Sequence, residues 1–262
     1  MPTPGVLAAP TTFPADLVDL HESIGKLLAA QGEWERAYFH LGAALRIARD
    51  HECGTWRVPE QYRREVDALR QAHARALDES LRDSLTATYN RRYLDQQLVA
   101  LLAEQCHTGA GVAVALVDLD LFKRVNDTYG HLLGDRVLQR VVALLQADLP
   151  EGAFCARYGG EEFVLVLPDV DARTAVTTVE RARARVAHHP WSTLAPDLQV
   201  TISVGLVHHA AEDRPLATRA DAERQLRRAD DLLYSAKRAG RNAVAYRTNG
   251  AIRIAGLDDN CR

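Results

Sequence analysis

Two short apolar runs separated by a Gly-Gly pair constrain the fold of this chain more than any other feature. The runs at 153–156 and 163–167 flank Gly159 and Gly160. Because glycine adopts positive φ without steric cost, the pattern predicts a β-hairpin. Glu161 and Glu162 would then lie at its exposed tip, where a phosphate and its metal could approach main chain that lacks Cβ atoms. The alternative is a surface turn whose carboxylates merely face water.

A buried strand that ends in acidic residues is the second feature. The apolar run 112–117 leads into Asp118, Leu119 and Asp120. In extended backbone, Asp118 and Asp120 project to the same side. Buried carboxylates are unfavourable unless they bind cations, and Mg²⁺ takes one or two carboxylates together with substrate phosphates. The pattern predicts a Mg²⁺ site, with the alternative that one aspartate, Asp120 rather than Asp118, caps the helix that follows.

Both features resemble motifs of the GGDEF family of diguanylate cyclases. Residues 159–163 are the Gly-Gly-Glu-Glu-Phe form of the signature. Residues 118–135 match the family's Asp-x-Asp-x-Phe-Lys-x-x-Asn-Asp-x-x-Gly-His-x-x-Gly-Asp pattern, and 83–92 and 229–242 resemble its entry and closing motifs. The entry motif's usual Pro, Gly and Leu are replaced here by Ser84, Ala87 and Thr88, so this turn is expected to be less rigid.

The resemblance implies condensation of two GTP into cyclic di-GMP, with release of two pyrophosphates, by a homodimer in which each chain holds one GTP. It implies that Asp118, the Leu119 carbonyl and Glu161 bind Mg²⁺ or Mn²⁺, two ions per half-site. Glu161 or Glu162 would receive or orient the 3′-hydroxyl proton, and Glu161 is favoured.

The resemblance also implies how the nucleotide is bound. Asn126 and Asp135 would read the guanine, since a carboxylate accepts from N1–H and N2–H₂. Lys237 and Arg241 are spaced i and i+4, so on a helix that persists this far they would share one face and grip a polyphosphate. His131 would lie beside the nucleotide or be structural. The remaining implied substrate-binding residues are Phe122, Lys123, Gly159 and Gly160, with Lys123 on the terminal phosphates.

Alternating helix and strand patterns over residues 83–247 predict an α+β fold, an α/β sandwich with the sheet on one side and helices on the other. The resemblance implies a palm-like catalytic domain with a mixed central sheet. The predicted helices cover 91–104, 135–149, 172–187 and 220–239, and the predicted strands besides the hairpin cover 112–117, 199–207 and 242–246. The tail 248–262 is predicted to be disordered.

The region before residue 83 is predicted to be helical. Residues 1–12 are expected to be disordered, and 13–58 to form a helical hairpin that is either a plain hairpin or one tetratricopeptide-like repeat. Because a lone repeat cannot bury its apolar face, it needs a neighbouring helix, another protein or ligand, or a second protomer. Residues 59–82 are either a dimeric coiled coil or a solvated linker helix. These helices could regulate how often two half-sites meet.

Composition excludes several function classes. The net charge of −3, from 32 basic and 35 acidic residues, lacks the basic excess of a DNA-binding protein. Four dispersed cysteines without a CxxC pair argue against a zinc site or a disulfide framework. The sequence shows no convincing signal peptide and no apolar run of membrane-spanning length, so a cytoplasmic protein without a membrane partner is expected.

One departure from the family pattern concerns regulation. Many members carry an inhibitory Arg-x-x-Asp before the signature, but residues 150–153 are Pro-Glu-Gly-Ala. We therefore predict no product inhibition through this segment. Two alternatives to an active cyclase stay open: a catalytically silent sensor that binds GTP or cyclic di-GMP and signals through the helical region, and a scaffold in which the helical region is the working part.

Overall fold

The computed structural model describes residues 14–49, 60–108, 111–210 and 218–256. The chain divides into two compact units, Met1–Ser80 and Leu81–Arg262, and the predicted boundary was residue 83. The N-terminal residues predicted to be disordered, and the end of the predicted helical hairpin, lie outside the described residues. In the described ranges, no helix is both long and apolar enough to cross a membrane.

The first unit packs three described helices, α1 (Pro14–Ala30), α2 (Trp34–Arg49) and α3 (Glu60–Ser80). The turn between α1 and α2 uses Gly32 at φ 80°. A Cβ at Gly25 would lie 2.7 Å from Cγ of Leu41, so glycine at this position lets α1 and α2 approach closely. The apolar core is small, and its buried members are Ile24, Leu28, Ala37 and Val66.

Two histidines are buried between α1 and α2. Nδ1 of His21 lies 3.1 Å from Nδ1 of His40, so one ring donates a hydrogen bond to the other. Burial lowers the pKa of both imidazoles, because a charged ring is poorly solvated there. The hydrogen-bonded pair is therefore a neutral part of the hairpin interior.

The second unit alternates helices and strands, as predicted. Its helices are α4 (Arg91–Thr108), α5 (Phe122–Tyr129), α6 (His131–Gln146), α7 (Ala172–His188) and α8 (Arg219–Arg238). Its strands are β1 (Val112–Leu119), β2 (Phe154–Gly159), β3 (Glu162–Pro168), β4 (Ile202–His209), β5 (Val244–Thr248) and β6 (Ala251–Ala255).

The strands form one mixed sheet in the order β2-β3-β1-β4-β5-β6. Only the β4–β5 pair is parallel among the described strands, and the other pairs are antiparallel. Helix α8 packs so closely on β4 that a Cβ at Gly205 would collide with the Ala229 carbonyl oxygen. The central position of β1 explains why all eight of its residues are buried.

Helices cover both faces of this sheet, so the predicted one-sided arrangement is wrong. One apolar core contains residues of α5, α6 and α7 packed on the face that carries Val117 and Phe163. A second core contains residues of α4 and α8 packed on the opposite face, which carries Leu116 and Val164. A central strand that is apolar on both sides needs cover on both sides, which the unbroken apolar run 112–117 already indicated.

The prediction of a disordered tail is also wrong for the residues described after β5. Thr248 ends β5, and β6 pairs antiparallel with β5 along its whole length. The turn between them is Asn249-Gly250, both at positive φ (50° and 77°), which is the preferred chemistry of a tight hairpin turn. Residues 257–262 lie outside the described part of the chain.

Candidate active site

The end of β1 brings the predicted catalytic carboxylates together. In the antiparallel ladders, Asp118 is the partner of Glu162 on β3 and of Ser203 on β4. Glu161 lies in the hairpin turn, and its carbonyl oxygen accepts a hydrogen bond from the Leu119 N–H at 3.4 Å. The residues predicted to bind metal therefore meet where the central strands end.

The hairpin turn is held by Arg157, a residue whose role the sequence did not reveal. Its Nε and Nη2 donate to the Gly160 carbonyl oxygen at 3.0 and 2.8 Å, and its Nη1 lies 3.0 Å from the Asp83 carboxylate. Burial alone would raise the pKa of Asp83, but hydrogen bonds from Thr86 and Arg157 lower it. A Cβ at Gly159 or Gly160 would meet nothing within 4 Å, so a ligand has room to approach this main chain.

Lys237 on α8 supplies a positive charge at this point. Its Nζ lies 2.9 Å from Oδ2 of Asp118, whose side chain is only 11% exposed. Burial raises the pKa of Asp118 and outweighs the opposing effect of Lys237. The pKa values of Glu161 and Glu162 are raised by burial and then by the nearby Asp118 charge, while Lys237 lowers both. The end of β1 therefore brings together more carboxylate charge than the nearby lysine neutralises.

This donor set fits a magnesium or manganese ion. Carboxylate and main-chain carbonyl oxygens are the ligands these cations prefer, and a bound cation would stabilise the charged form of these carboxylates, which burial and then their mutual repulsion disfavour. No ready-made group of three acidic, histidine or cysteine side chains exists in the described ranges. Asp118, the Leu119 carbonyl and Glu161 would therefore need oxygens of a bound phosphate to complete a coordination shell.

Asp120 does not cap the following helix, so that prediction is wrong. The N-cap of α5 is Leu121, which makes no side-chain cap hydrogen bond. Instead the Asp120 carboxylate accepts hydrogen bonds from Thr201 Oγ1 (2.7 Å), Ser203 Oγ (2.6 Å) and the Asn242 N–H (3.0 Å). Its partners are the residue before β4, a residue of β4 and a residue of the turn after α8. Asp120 therefore fastens that turn to the strand end.

The residues predicted to read guanine lie together on α5 and α6. A Cβ at Gly134 would collide with Oδ1 of Asn126, so only glycine at this position leaves room for the Asn126 amide. Asp135 follows Gly134 directly and is partly exposed. An amide and a carboxylate placed on adjoining helices can together donate to and accept from one edge of a purine.

The other residues of this segment differ in exposure. Phe122 is 5% exposed and belongs to the core, so a contact with a nucleotide would have to come from its main chain. Lys123 is exposed in the first turn of α5, and His131 is exposed as the first residue of α6. In the described part of the chain, neither side chain makes a hydrogen bond to the carboxylates at the end of β1.

The closing motif adopts a different shape from the one expected. Helix α8 ends at Arg238, and Arg241 follows in a left-handed conformation (φ 67°), as does Asn242 (φ 46°). Lys237 and Arg241 therefore do not share a helical face. Arg241 still lies near enough to lower the pKa of Asp118, so both cations act on the same strand end.

Hydrogen bonds hold the entry turn, in which the substitutions predict lower rigidity. Ala87 takes φ 56° where the family has glycine. Thr88 donates from Oγ1 to the Cys155 carbonyl oxygen at 2.7 Å, and the Asp83 N–H donates to the Thr88 carbonyl oxygen at 2.8 Å. The first bond holds the turn against β2, and the second closes the turn itself.

Glu162 also lines a separate polar cleft between α4 and α8. The cleft has a volume of about 380 Å³ and is bounded by charged side chains of both helices, with Arg91 stacked 4.4 Å from the ring centre of Tyr158. Strand alternation directs Glu162 to the same sheet face as its ladder partner Asp118. The two hairpin glutamates are thus placed differently, with Glu161 in the turn and Glu162 on the strand.

Comparison with known proteins gives a consistent result. Residues 80–243 match the family model "Diguanylate cyclase, GGDEF domain". The response regulator PleD of Caulobacter vibrioides is 38% identical over 187 residues, which are 70% of this chain but only 40% of PleD. The chain therefore spans less than half the length of this relative.

Two solved structures extend the comparison. The coiled coil and GGDEF domain of DgcB from Caulobacter crescentus, in complex with c-di-GMP, superposes with a TM-score of 0.63 at 30% identity, covering 72% of this chain and 96% of that one. The diguanylate cyclase SiaD from Pseudomonas aeruginosa, in complex with its activator SiaC, gives 0.60 at 30% identity, covering 89% and 82%. The predicted fold class is confirmed.

Proposed function

The chain belongs to the GGDEF family of diguanylate cyclases, and we propose that it condenses two GTP into cyclic di-GMP with release of two pyrophosphates. The observation that carries this proposal is the meeting of Asp118, Glu161 and Glu162 at the end of β1, with Lys237 bound to Asp118. These are the groups that a phosphoryl transfer needs: carboxylates for cations and a lysine for phosphate.

In the proposed reaction the 3′-hydroxyl oxygen of each GTP attacks the α-phosphorus of the other. A new P–O bond forms, the bond to pyrophosphate breaks, and Glu161 accepts or orients the hydroxyl proton. Glu162 stands beside it on β3 and is the second candidate for this role. Raised pKa values suit carboxylates that handle protons, since a stronger base is more easily protonated at neutral pH.

Asp118, the Leu119 carbonyl and Glu161 would hold divalent cations, Mg²⁺ or Mn²⁺, with two per half-site proposed. Bound cations would supply charge neutralisation at the α-phosphate and at the leaving pyrophosphate. Lys237 would then turn from Asp118 to the terminal phosphates, which Lys123 and Arg241 also contact. Asn126 and Asp135 would select guanine, and His131 would lie beside the nucleotide.

A homodimer is part of the proposal, because the product has twofold symmetry and each chain holds one GTP. Two facing half-sites related by a twofold axis satisfy both conditions. We also propose that the N-terminal helices are the regulatory input. The similarity to SiaD, which was solved with an activator, extends over 89% of this chain and supports such a role.

The test incubates purified full-length protein with GTP and Mg²⁺ and follows nucleotide products. We expect cyclic di-GMP and pyrophosphate from the wild type, and at least a hundredfold loss in Asp118→Asn and Glu161→Gln. Glu151→Gln, an exposed acid in the turn before β2, is the matched control and should keep full activity. Absence of product from a demonstrably dimeric wild type would instead favour the sensor, which the intact motif residues otherwise disfavour.

A further inference from the structure

The turn after α8 holds two successive L-residues in the left-handed region. Arg241 has φ 67° and Asn242 has φ 46°, and Gly240 before them has φ 122°. Asparagine is one of the side chains that tolerate this conformation, whereas arginine is not. Residues in sparsely populated backbone conformations persist only where their surroundings fix them, and they cluster at functional sites. Such a turn therefore needs contacts that hold it.

Asn242 is held through both its main chain and its side chain. Its N–H donates to Oδ2 of Asp120 at 3.0 Å, and its Oδ1 accepts a hydrogen bond from Nη1 of Arg183 at 2.6 Å. Both partners are buried, since Asp120 is 8% exposed and Arg183 is 6% exposed. One of them directly follows β1 and the other belongs to α7, so two separate elements hold this asparagine.

The two buried partners are themselves fixed by other groups. The Asp120 carboxylate also accepts the hydroxyl hydrogen bonds of Thr201 and Ser203. Arg183 forms an ion pair with Glu180 at 2.6 Å. Hydrogen bonds to charged groups are stronger than those between neutral groups. The asparagine is therefore bonded to two charged anchors whose own positions are defined by the fold.

Arg241 is the residue that this turn presents. It is exposed, and its N–H donates to the Ala236 carbonyl oxygen of α8 at 3.2 Å. Its charge acts at the end of β1, where it lowers the pKa of Asp118. Because Arg241 and Asn242 share a peptide bond, the anchoring of Asn242 also determines where the Arg241 backbone lies.

We propose that Asn242 is a positioning residue for the nucleotide, which links two buried anchors to Arg241 and so holds the Arg241 guanidinium ready for the phosphates of GTP. The inference rests on the proposed function, which places Arg241 on the terminal phosphates. A guanidinium that is already in place binds phosphate more tightly, because less conformational freedom is lost on binding. Asn242 acts through Arg241 and does not itself bind the ligand.

Calorimetry of the full chain with Mg²⁺ and guanosine 5′-(α,β-methylene)triphosphate is the test, because this analogue binds without releasing pyrophosphate. We expect Asn242→Ala to raise the dissociation constant of the analogue about tenfold, since alanine disfavours the left-handed conformation and lacks the acceptor for Arg183. Asn242→Gly keeps the conformation and the main-chain bond to Asp120, so it should lose less affinity. Circular dichroism checks that each variant is folded.

Asn249→Ala is the matched control. Asn249 is also left-handed, with φ 50°, but it lies in the turn between β5 and β6. The same substitution in the same backbone conformation should therefore leave the affinity for the analogue unchanged.

A double-mutant cycle with Arg241→Ala gives a readout that a merely structural role would not change. If Asn242 acts through Arg241, then Asn242→Ala adds little to the loss in Arg241→Ala. In the cyclase assay both single variants should raise the KM for GTP with little change in kcat. A partly unfolded population would instead lower the apparent kcat and leave KM unchanged.

Three results would overturn the inference: wild-type affinity in Asn242→Ala, fully additive losses in the cycle, or a control variant that binds as weakly as Asn242→Ala. A wild type that binds the analogue but forms no cyclic di-GMP from GTP would refute the proposed function alone, and the variants would still decide the role of Asn242. A wild type that does not bind the analogue would overturn both.

Discussion

The Lys237 ammonium lies 2.9 Å from the Asp118 carboxylate at the end of the central strand. The lysine comes from α8 and the aspartate from β1, so packing of this helix on the sheet sets the distance between them. Lys237 is the immediate counter-charge to a carboxylate that burial otherwise destabilises. A metal ion at Asp118 would take over that role and release Lys237 toward the phosphates.

Lys237→Met should lower kcat/KM for GTP by about 10- to 100-fold, the effect of losing one charge-assisted hydrogen bond. Lys237→Arg keeps the positive charge and should retain more activity than Lys237→Met. Steady-state kinetics with varied GTP measures both. Arg238→Met removes an exposed charge from the next residue of α8 and should have little effect. Equal losses in the Met and Arg variants would show that charge is not what Lys237 contributes.

Gly134→Ala should raise the KM for GTP about tenfold, because the new methyl group displaces the Asn126 amide that fills this space. Asn126→Ala should show a similar rise. A double-mutant cycle decides the mechanism: if the glycine acts through the amide, the second substitution adds little to the first. Fully additive losses would contradict that coupling.

The local motifs were predictable because their residues are close in sequence. Gly159-Gly160 between apolar runs gave the hairpin, and the buried run before Asp118 gave the central strand. The role of Asp120 was not predictable, since its partners Thr201 and Asn242 are far along the chain and carry no local signal. Strand order determines these partners of Asp120, because it brings β4 beside β1.

Two further errors have identifiable causes. The i, i+4 spacing of Lys237 and Arg241 predicted a shared face, but Gly240 lies between them and α8 ends at Arg238. The prediction of a disordered tail overlooked the last strand, because it rested on position at the end of the chain, whereas Asn249-Gly250 is a strong hairpin signal.

Ala87→Gly should stabilise the second unit by about 1 kcal/mol, since alanine at φ 56° is strained and glycine is not. Chemical denaturation measures the free energy of unfolding. Ala184→Gly is the opposite-sign control: Ala184 lies inside α7, where glycine should destabilise by a similar amount. A destabilised Ala87→Gly variant would mean that chain entropy outweighs the strain at this turn.

Stability of the first unit should fall at mildly acidic pH because of His21 and His40. Burial lowers the pKa of both below about 6.5, the value expected in the unfolded chain. The unfolded state then binds more protons, so the pair's contribution is fully present above about pH 6.5 and is lost as pH falls toward the folded-state pKa values. Hydrogen exchange of α1 and α2 between pH 7.5 and 5.5 measures the loss. His40→Gln, which cannot titrate, should flatten this dependence; an unchanged profile would assign the effect to other groups.

Cyclic di-GMP should not inhibit the wild-type enzyme through residues 150–153, which lack both charges of the inhibitory motif. The segment forms a tight turn, in which the Ala153 N–H donates to the Pro150 carbonyl oxygen at 3.1 Å. Both ends of the segment therefore lie on one turn, and Pro150→Arg with Ala153→Asp would install an arginine and an acid close together. Calorimetry in an Asp118→Asn background, which blocks turnover, should detect product binding only when this pair is installed. Tight binding by Asp118→Asn alone would locate a product site that the missing pair does not explain.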